Sequence, residues 1–174
     1  MDILWSPWRS KYIQSFKDEQ TKKVADNTCI FCDAINSTGQ EKEMLVVAKR
    51  KKCFVILNKY PYNGGHIMVA PVRHVSNFEE LADDEIYDMI KTIKNSIKVL
   101  EHISMPHGFN IGVNQGRVAG AGIPGHIHFH IVPRWNGDTS FMAVVSDTKI
   151  VSQSLEETRE IISKTFNELF PADE

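Results

Sequence analysis

Several features that would place this 174-residue chain in a special class are missing from its sequence. Three cysteines are too few, and odd in number, for a disulfide framework, which indicates a reducing compartment. A net charge of −2 is too small to draw the protein to nucleic acid or to an anionic membrane, so any phosphate must be bound locally. No apolar run is long enough to span a membrane, and residues 1–11 do not resemble a signal peptide. We therefore expect a cytoplasmic protein with no nucleic-acid or membrane partner.

The chain is long enough for one hydrophobic core and short for two, so we expect a single domain over residues 1–174. Runs rich in β-branched and aromatic residues, separated by turn residues, predict five strands. The predicted strands cover residues 44–48, 53–58, 66–70, 109–114 and 126–132. Their short connections favour an α+β fold with a largely antiparallel sheet.

Two helices are predicted from apolar residues that recur every three or four positions. The first begins at Asp83 or Asp84 and ends near His102. Its predicted apolar stripe consists of Ile86, Ile90, Ile93, Ile97 and Leu100. Two pairs match the capping-box pattern, namely Ser76 with Glu79 and Ser154 with Glu157. The second pair predicts a C-terminal helix over about residues 154–170.

Three of the seven histidines alternate with apolar residues at positions 126, 128 and 130. Successive side chains of a strand point to opposite faces, so we expect His126, His128 and His130 on one face and Ile127 and Phe129 on the other. A solvent-exposed face would more often mix Lys, Glu, Thr and Ser, which makes that interpretation the weaker one. Two chemical interpretations remain, a metal site and catalysis by an imidazole nucleophile.

Cys29 and Cys32 form a C-x-x-C unit, whose two thiolates suit one edge of a tetrahedral zinc site. The alternatives are a pair of reduced cysteines and a redox pair, although no βαβ context surrounds the unit. Zinc would need two further ligands, for which His66, His74 and the three alternating histidines are candidates. Cys53 lies in an apolar run and is expected in the core.

A glycine-rich segment over residues 115–125 leads directly into His126. Glycines allow backbone N–H groups to approach a ligand closely and to point at an anion. The segment followed by the histidines therefore predicts a cradle for a phosphoryl group.

The chain resembles the histidine-triad family. Residues 126–132 fit its alternating histidine motif, and residues 53–71 look like its nucleotide-binding half. Residues 4–13 and 116–138 are similar to the branch that contains diadenosine-tetraphosphate phosphorylases and related bacterial hydrolases. The resemblance implies a single histidine-triad domain with an N-terminal extension over about residues 1–28. Two of the three tryptophans, Trp5 and Trp8, lie close together in this extension, which indicates that it contacts either the core or a partner subunit.

This resemblance also implies a mechanism. His128 would attack the α-phosphorus of a nucleotide and form a nucleotidyl-histidine intermediate, while its other ring nitrogen donates to a carbonyl or similar acceptor. His130 would contact the phosphoryl oxygens, and backbone N–H groups of the loop around Gly122 would stabilise the developing charge. Asn58 matches the family position that binds the ribose hydroxyls. Asn114 or Gln115 lies where family members contact the phosphate chain.

Histidine-triad relatives with a C-x-x-C unit hold a structural zinc, and the matching ligands here are Cys29, Cys32, His74 and His126. The resemblance further implies a homodimer or a tetramer and a dinucleoside polyphosphate substrate, and it allows a divalent cation to accompany that substrate.

The acceptor of the nucleotidyl group stays open between phosphate and water. Residues 122–125 lack the Ser, Thr or Gln that several hydrolases of the family carry before the triad. Known phosphorylases outside bacteria replace the third histidine by Gln, whereas this chain keeps His130. The alternatives are an adenosine phosphoramidase and a nucleotide-binding zinc module without turnover.

Overall fold

The computed structural model describes residues 29–138 and 153–171, so Trp5, Trp8 and the rest of the predicted N-terminal extension lie outside the described residues. Within these ranges the elements occur in the following order: helix α1 (Ile30–Asn36), strands β1 (Val46–Lys49), β2 (Cys53–Leu57) and β3 (Ile67–Pro71), helix α2 (Asp83–Ser104), strands β4 (Gly108–Val113) and β5 (Phe129–Arg134), and helix α3 (Leu155–Leu169). The strands form a five-stranded sheet in the order β1-β2-β3-β5-β4. All of the neighbouring strands are antiparallel. The predicted α+β class is therefore confirmed.

Strands β2 and β3 are buried on both faces, because a different hydrophobic cluster covers each face. Val55 and Val69 belong to the large cluster beneath α2 and α3. Phe54 and Met68 belong to a smaller cluster on the opposite face, together with Phe31 of α1. Alternation along the strands thus separates a structural face, held by the two long helices, from a second face on which side chains can line a site.

The same separation of two faces extends to strand β5 and to the histidines in it and just before it. Met68 pairs with His130 and Val69 with Phe129, so His130 lies on the face of the smaller cluster. Ile127 is buried in the larger cluster. The predicted division between histidines and apolar residues holds, although the strand begins at Phe129 instead of residue 126. The N–H of Ile127 donates to the carbonyl of Val75, in the loop after β3.

The long helix begins at Asp83, as predicted, but its buried face differs from the predicted stripe. Ile93 and Leu100 are buried, whereas Ile90 is 52% exposed. Met89 and the polar residues Thr92 and Ser96 are buried instead. The predicted apolar stripe is therefore rotated around the helix axis by about one residue relative to the face that is buried. The apolar pattern missed this face because small polar side chains also fit beneath the helix.

The predicted capping box of Ser76 and Glu79 is wrong. A short 3₁₀ turn over Phe78–Glu80 follows Asn77, whose side chain does not cap it. The carboxylate of Glu85 instead accepts from the N–H of Ala82 at 2.9 Å and caps α2 from within its first turn. Arg73 donates to both oxygens of Glu85, at 3.0 and 2.7 Å, and holds this carboxylate in place. The same ion pair lowers the pKa of Glu85 below its usual value.

The C-terminal helix is confirmed, with Ser154 Oγ accepting from the N–H of Glu157 at 3.1 Å. Ile162 and Phe166 of this helix lie in the larger cluster. Among the described residues no helix combines the length and the apolar character that a membrane crossing requires.

Candidate active site and metal centre

A cleft of about 750 Å³ opens on the face of the smaller hydrophobic cluster. Its volume is in the range of small-molecule sites. One part of its wall is apolar and the other carries imidazole and amide groups. The apolar lining includes Ile30, Phe31, Met44, Leu45, Ile56, Met68 and Ile123, and the polar lining includes Asn58, His128 and His130. The cleft therefore suits a ligand with one flat apolar end and one polar end.

His128 is the most deeply placed imidazole of this cleft, with 4% of its surface exposed. Its Nδ1 lies 2.8 Å from the carbonyl oxygen of His126. A carbonyl only accepts, so Nδ1 carries the proton and Nε2 keeps a lone pair. Burial lowers the pKa of His128, and the bond to the carbonyl opposes that shift only in part. The side chain is thus a neutral imidazole at neutral pH, in a fixed tautomer with a lone pair on Nε2.

A chain of hydrogen bonds also sets the tautomer of His130. The N–H of Tyr62 donates to Nδ1 of His66 at 3.1 Å, which leaves the proton of neutral His66 on Nε2. Nε2 of His66 lies 2.9 Å from Nδ1 of His130 and donates to it. The proton of neutral His130 is then on Nε2, where it is available to an acceptor. Burial, followed by the neighbouring imidazoles, lowers the pKa of His66 to about 3 and the pKa of His130 to about 4.

Four residues that are distant in sequence form a cluster able to hold a metal ion. One ligand atom from each of Cys29, Cys32, His74 and His126 lies within 4.8 Å of the others. Nδ1 of His126 lies 3.4 Å from Sγ of Cys29 and 3.7 Å from Sγ of Cys32, and Nδ1 of His74 lies 3.2 Å from Sγ of Cys32. Bonds of about 2.3 Å to sulfur and about 2.0 Å to nitrogen place the ligands of a tetrahedral ion about 3.3–3.8 Å apart. The observed separations fit such an ion.

The tautomer of His126 agrees with this role. Its Nε2 lies 2.9 Å from the carbonyl oxygen of Pro71 and donates to it, which leaves a lone pair on Nδ1 towards the cysteines. Burial, followed by the adjacent Cys29, raises the pKa of Cys32 to about 11, so a bound cation would have to displace the thiol proton. Cys53 is buried in the core as expected, and burial raises its pKa to about 12.

The predicted nucleotide-binding residues divide into two groups. Asn58 and Gly122 line the same cleft as His128 and His130. Asn114 and Gln115 are not among the residues that line it. Nδ2 of Asn114 donates to the carbonyl of Gly120 at 3.4 Å. Gln115 accepts from the N–H of Phe78 at 2.9 Å and donates to Glu79 at 3.1 Å, so its amide binds the 3₁₀ turn.

Two residues of the site were not identified from the sequence in their observed positions. His66 was only a candidate zinc ligand, and it contacts His130 instead of the metal cluster. Phe31 is fully buried, and the centroid of its ring lies 5.1 Å from that of His126 and 4.8 Å from that of His128. In the sequence, the location of Phe31 was indicated only by its position between Cys29 and Cys32. If these cysteines share a zinc site with His126, Phe31 must also lie near the histidines.

The site combines a neutral imidazole that has a lone pair with a second imidazole that can donate a hydrogen bond, an arrangement able to carry out nucleophilic group transfer. Comparisons with known proteins identify the family. The HIT domain model matches residues 39–137. The AP-4-A phosphorylase of Mycobacterium tuberculosis is 36% identical over 162 residues, which cover 92% of this chain and 82% of the relative. The chain therefore belongs to the histidine-triad, or HIT, family.

Two further relatives agree with this assignment. The asymmetrical bis(5'-nucleosyl)-tetraphosphatase of Schizosaccharomyces pombe is 28% identical over 132 residues, which cover 74% of this chain and 69% of the relative. The crystal structure of a hypothetical histidine triad nucleotide-binding protein from Sulfolobus tokodaii superposes with a TM-score of 0.65 at 29% identity. That comparison covers 81% of this chain and 93% of the other.

Proposed function

We propose that the protein cleaves dinucleoside polyphosphates by transferring a nucleotidyl group through His128, with phosphate as the acceptor. The observation that carries this proposal is the 2.8 Å bond from Nδ1 of His128 to the His126 carbonyl, which leaves Nε2 as a buried nucleophile in the cleft. The similarity to a phosphorylase over 92% of the chain supports phosphate over water. A flat apolar wall beside the imidazoles suits a purine base.

The reaction takes two displacements. In the first, the lone pair on Nε2 of His128 forms a bond to the α-phosphorus and the bond to the bridging oxygen breaks, so the remaining nucleoside polyphosphate leaves as an anion. In the second, a phosphate oxygen attacks the same phosphorus, the P–N bond breaks, and its electron pair returns to Nε2. Diadenosine tetraphosphate would thus give ATP and ADP.

His130 and the loop around Gly122 would stabilise the transition state. The proton on Nε2 of His130 is free to bind a non-bridging phosphoryl oxygen, because Nδ1 already accepts from His66. Gly122 also lines the cleft, where its backbone N–H can approach the same oxygens. Asn58 lies at the end of β2 on the cleft wall, in reach of a nucleoside.

For the cluster of Cys29, Cys32, His74 and His126 we infer a structural zinc. Two thiolates and two neutral imidazoles with tetrahedral spacing are a donor set that Zn²⁺ prefers. All four positions are filled by protein, so no open position is left for a substrate. Bound there, the ion supplies cross-links between α1 and the segment that carries His126, and the carbonyl of His126 orients His128.

The acceptor is tested by incubating the protein with diadenosine tetraphosphate in ¹⁸O-labelled water, with and without inorganic phosphate. We expect ADP and ATP only when phosphate is present, because phosphate must attack the nucleotidyl-histidine. AMP and ATP in equal amounts without phosphate, with ¹⁸O in the AMP, would show hydrolysis instead. An adenosine phosphoramidate in the same assay measures the alternative phosphoramidase activity, and no turnover of either compound would indicate a binding module.

Two substitutions at His66 separate its two hydrogen bonds. The amide of His66→Gln reaches the position of Nε2 and can still donate to His130, whereas His66→Asn reaches only the position of Nδ1 and keeps the contact to the Tyr62 N–H. Loss of a hydrogen bond to a buried group costs about 1–3 kcal/mol, so we expect kcat to fall about 10- to 100-fold in the asparagine variant. The glutamine variant should stay within a few-fold of the parent.

Thermal melting of both variants, followed by circular dichroism, controls for a general loss of stability. Equal losses of kcat in the two variants would contradict the relay from His66 to His130. The ¹⁵N shifts of the His130 ring, which differ between the two neutral tautomers, give a readout that does not depend on turnover.

A further inference from the structure

Two exposed tyrosines form one lip of the cleft. Tyr60 and Tyr62 belong to the loop between β2 and β3, and 77% and 62% of their surfaces are exposed. Both line the cleft, as does Lys59. Pro61 stands between them and fixes one backbone angle of the loop. Their rings are therefore accessible to a ligand at the opening of the cleft.

A row of rings connects the core to this lip. The ring centroid of buried Phe31 lies 4.8 Å from that of His128, which lies 4.9 Å from that of His130. The ring of Tyr62 is next, 6.0 Å from His130 and within 25° of parallel to it. Tyr62 also packs 4.8 Å from His66. The exposed fraction rises along this row, so Tyr62 lies beyond His130 on the way from His128 to solvent.

The chemistry of the cleft assigns different ligand parts to its two ends. The reacting phosphorus must lie at His128, and the apolar wall near Phe31 suits the base of the transferred nucleotide. The polyphosphate then runs past His130 towards the lip and carries the second nucleoside with it. An exposed aromatic ring stacks on any base, because every base has a π-face. Lys59 lines the cleft beside the two tyrosines and brings a positive charge that can attract a polyphosphate.

We propose that Tyr60 and Tyr62 form a subsite that stacks the base of the leaving nucleoside, so that the protein prefers dinucleoside substrates to nucleotides with a single base. This inference rests on the proposed function, since it requires a substrate with two nucleosides. It goes further because it names the residues that distinguish the leaving group.

The test compares diadenosine tetraphosphate with adenosine 5'-tetraphosphate, which has the same phosphate chain and one transferable adenylyl group but no second base. We expect Tyr60→Ala and Tyr62→Ala to raise KM for diadenosine tetraphosphate about 5- to 100-fold, as expected for the loss of one stacked base. KM for adenosine 5'-tetraphosphate should change less than two-fold. Tyr60→Phe and Tyr62→Phe keep the rings and should behave like the parent.

Equal losses for both substrates would overturn the subsite, because the tyrosines would then serve the transferred half or only cover His66 and His130. An unchanged KM for both substrates would overturn it as well. Calorimetry with the methylene-bridged, uncleavable forms of the two compounds separates this inference from the proposed function. If the parent cleaves neither substrate but the alanine variants lose affinity only for the dinucleoside form, the subsite stands and the proposed reaction fails.

Discussion

A His128→Asn protein should cleave diadenosine tetraphosphate at least about 1,000-fold more slowly than the parent, because it has no nucleophile. Asparagine is a conservative test of this claim. Its amide nitrogen occupies the position of Nδ1 and can still donate to the His126 carbonyl, which lies 2.8 Å from that atom in the parent. The substitution removes the reactive Nε2 but keeps this donor, so a loss of activity cannot be assigned to a lost structural hydrogen bond.

The covalent intermediate gives a second measurement of the same prediction. Protein mixed with radiolabelled substrate and quenched in alkali should retain label on His128, and the label should be released by acid, as a phosphoramidate requires. The asparagine variant should retain none. In a His128→Gly variant the cavity left by the ring could admit free imidazole, which should restore part of the turnover. Cleavage by His128→Gly at the parental rate without imidazole would refute the mechanism.

Removing the metal should produce the largest change in stability. An ion present at about 1,000 times its dissociation constant stabilises the native state by about 4 kcal/mol. For a chain of this size that energy corresponds to a fall in Tm of about 8–16 °C when a strong chelator is added. Activity should fall together with unfolding, because the inferred zinc would link Cys29 and Cys32 at α1, and with them Phe31, to the histidines.

A Cys32→Ser variant provides the matched control for the chelator. It should already melt at the lower temperature and should lose no further stability when the chelator is added. Atomic absorption should find about one zinc per parent chain and little in the variant, since the inferred site needs all four ligands. A parent with no bound zinc and an unchanged Tm in chelator would contradict the inference. Loss of activity at the rate of zinc release without unfolding would indicate metal catalysis instead.

Local patterns predicted much of the fold. The positions of the five strands and of the two long helices were correct to within a few residues, because hydrophobic period and turn residues report directly on backbone geometry. Helix α1 was not predicted, and two further errors concern polar residues. Ile90 was assigned to the buried stripe, while Thr92 and Ser96 occupy it. Ser76 matched a capping pattern that the chain does not use at that position.

The sequence by itself determined that His126, His128 and His130 share one face, because alternation is a property of the extended backbone and needs no knowledge of the rest of the chain. Only the tertiary structure decided which partners these histidines have. Cys29 lies 97 positions from His126, and His66 lies 64 positions from His130. Sheet register and loop paths bring these pairs together, and the same paths take the side chain of Gln115 away from the cleft to Phe78. Such pairings depend on the packing of the whole domain, so they are absent from any local pattern.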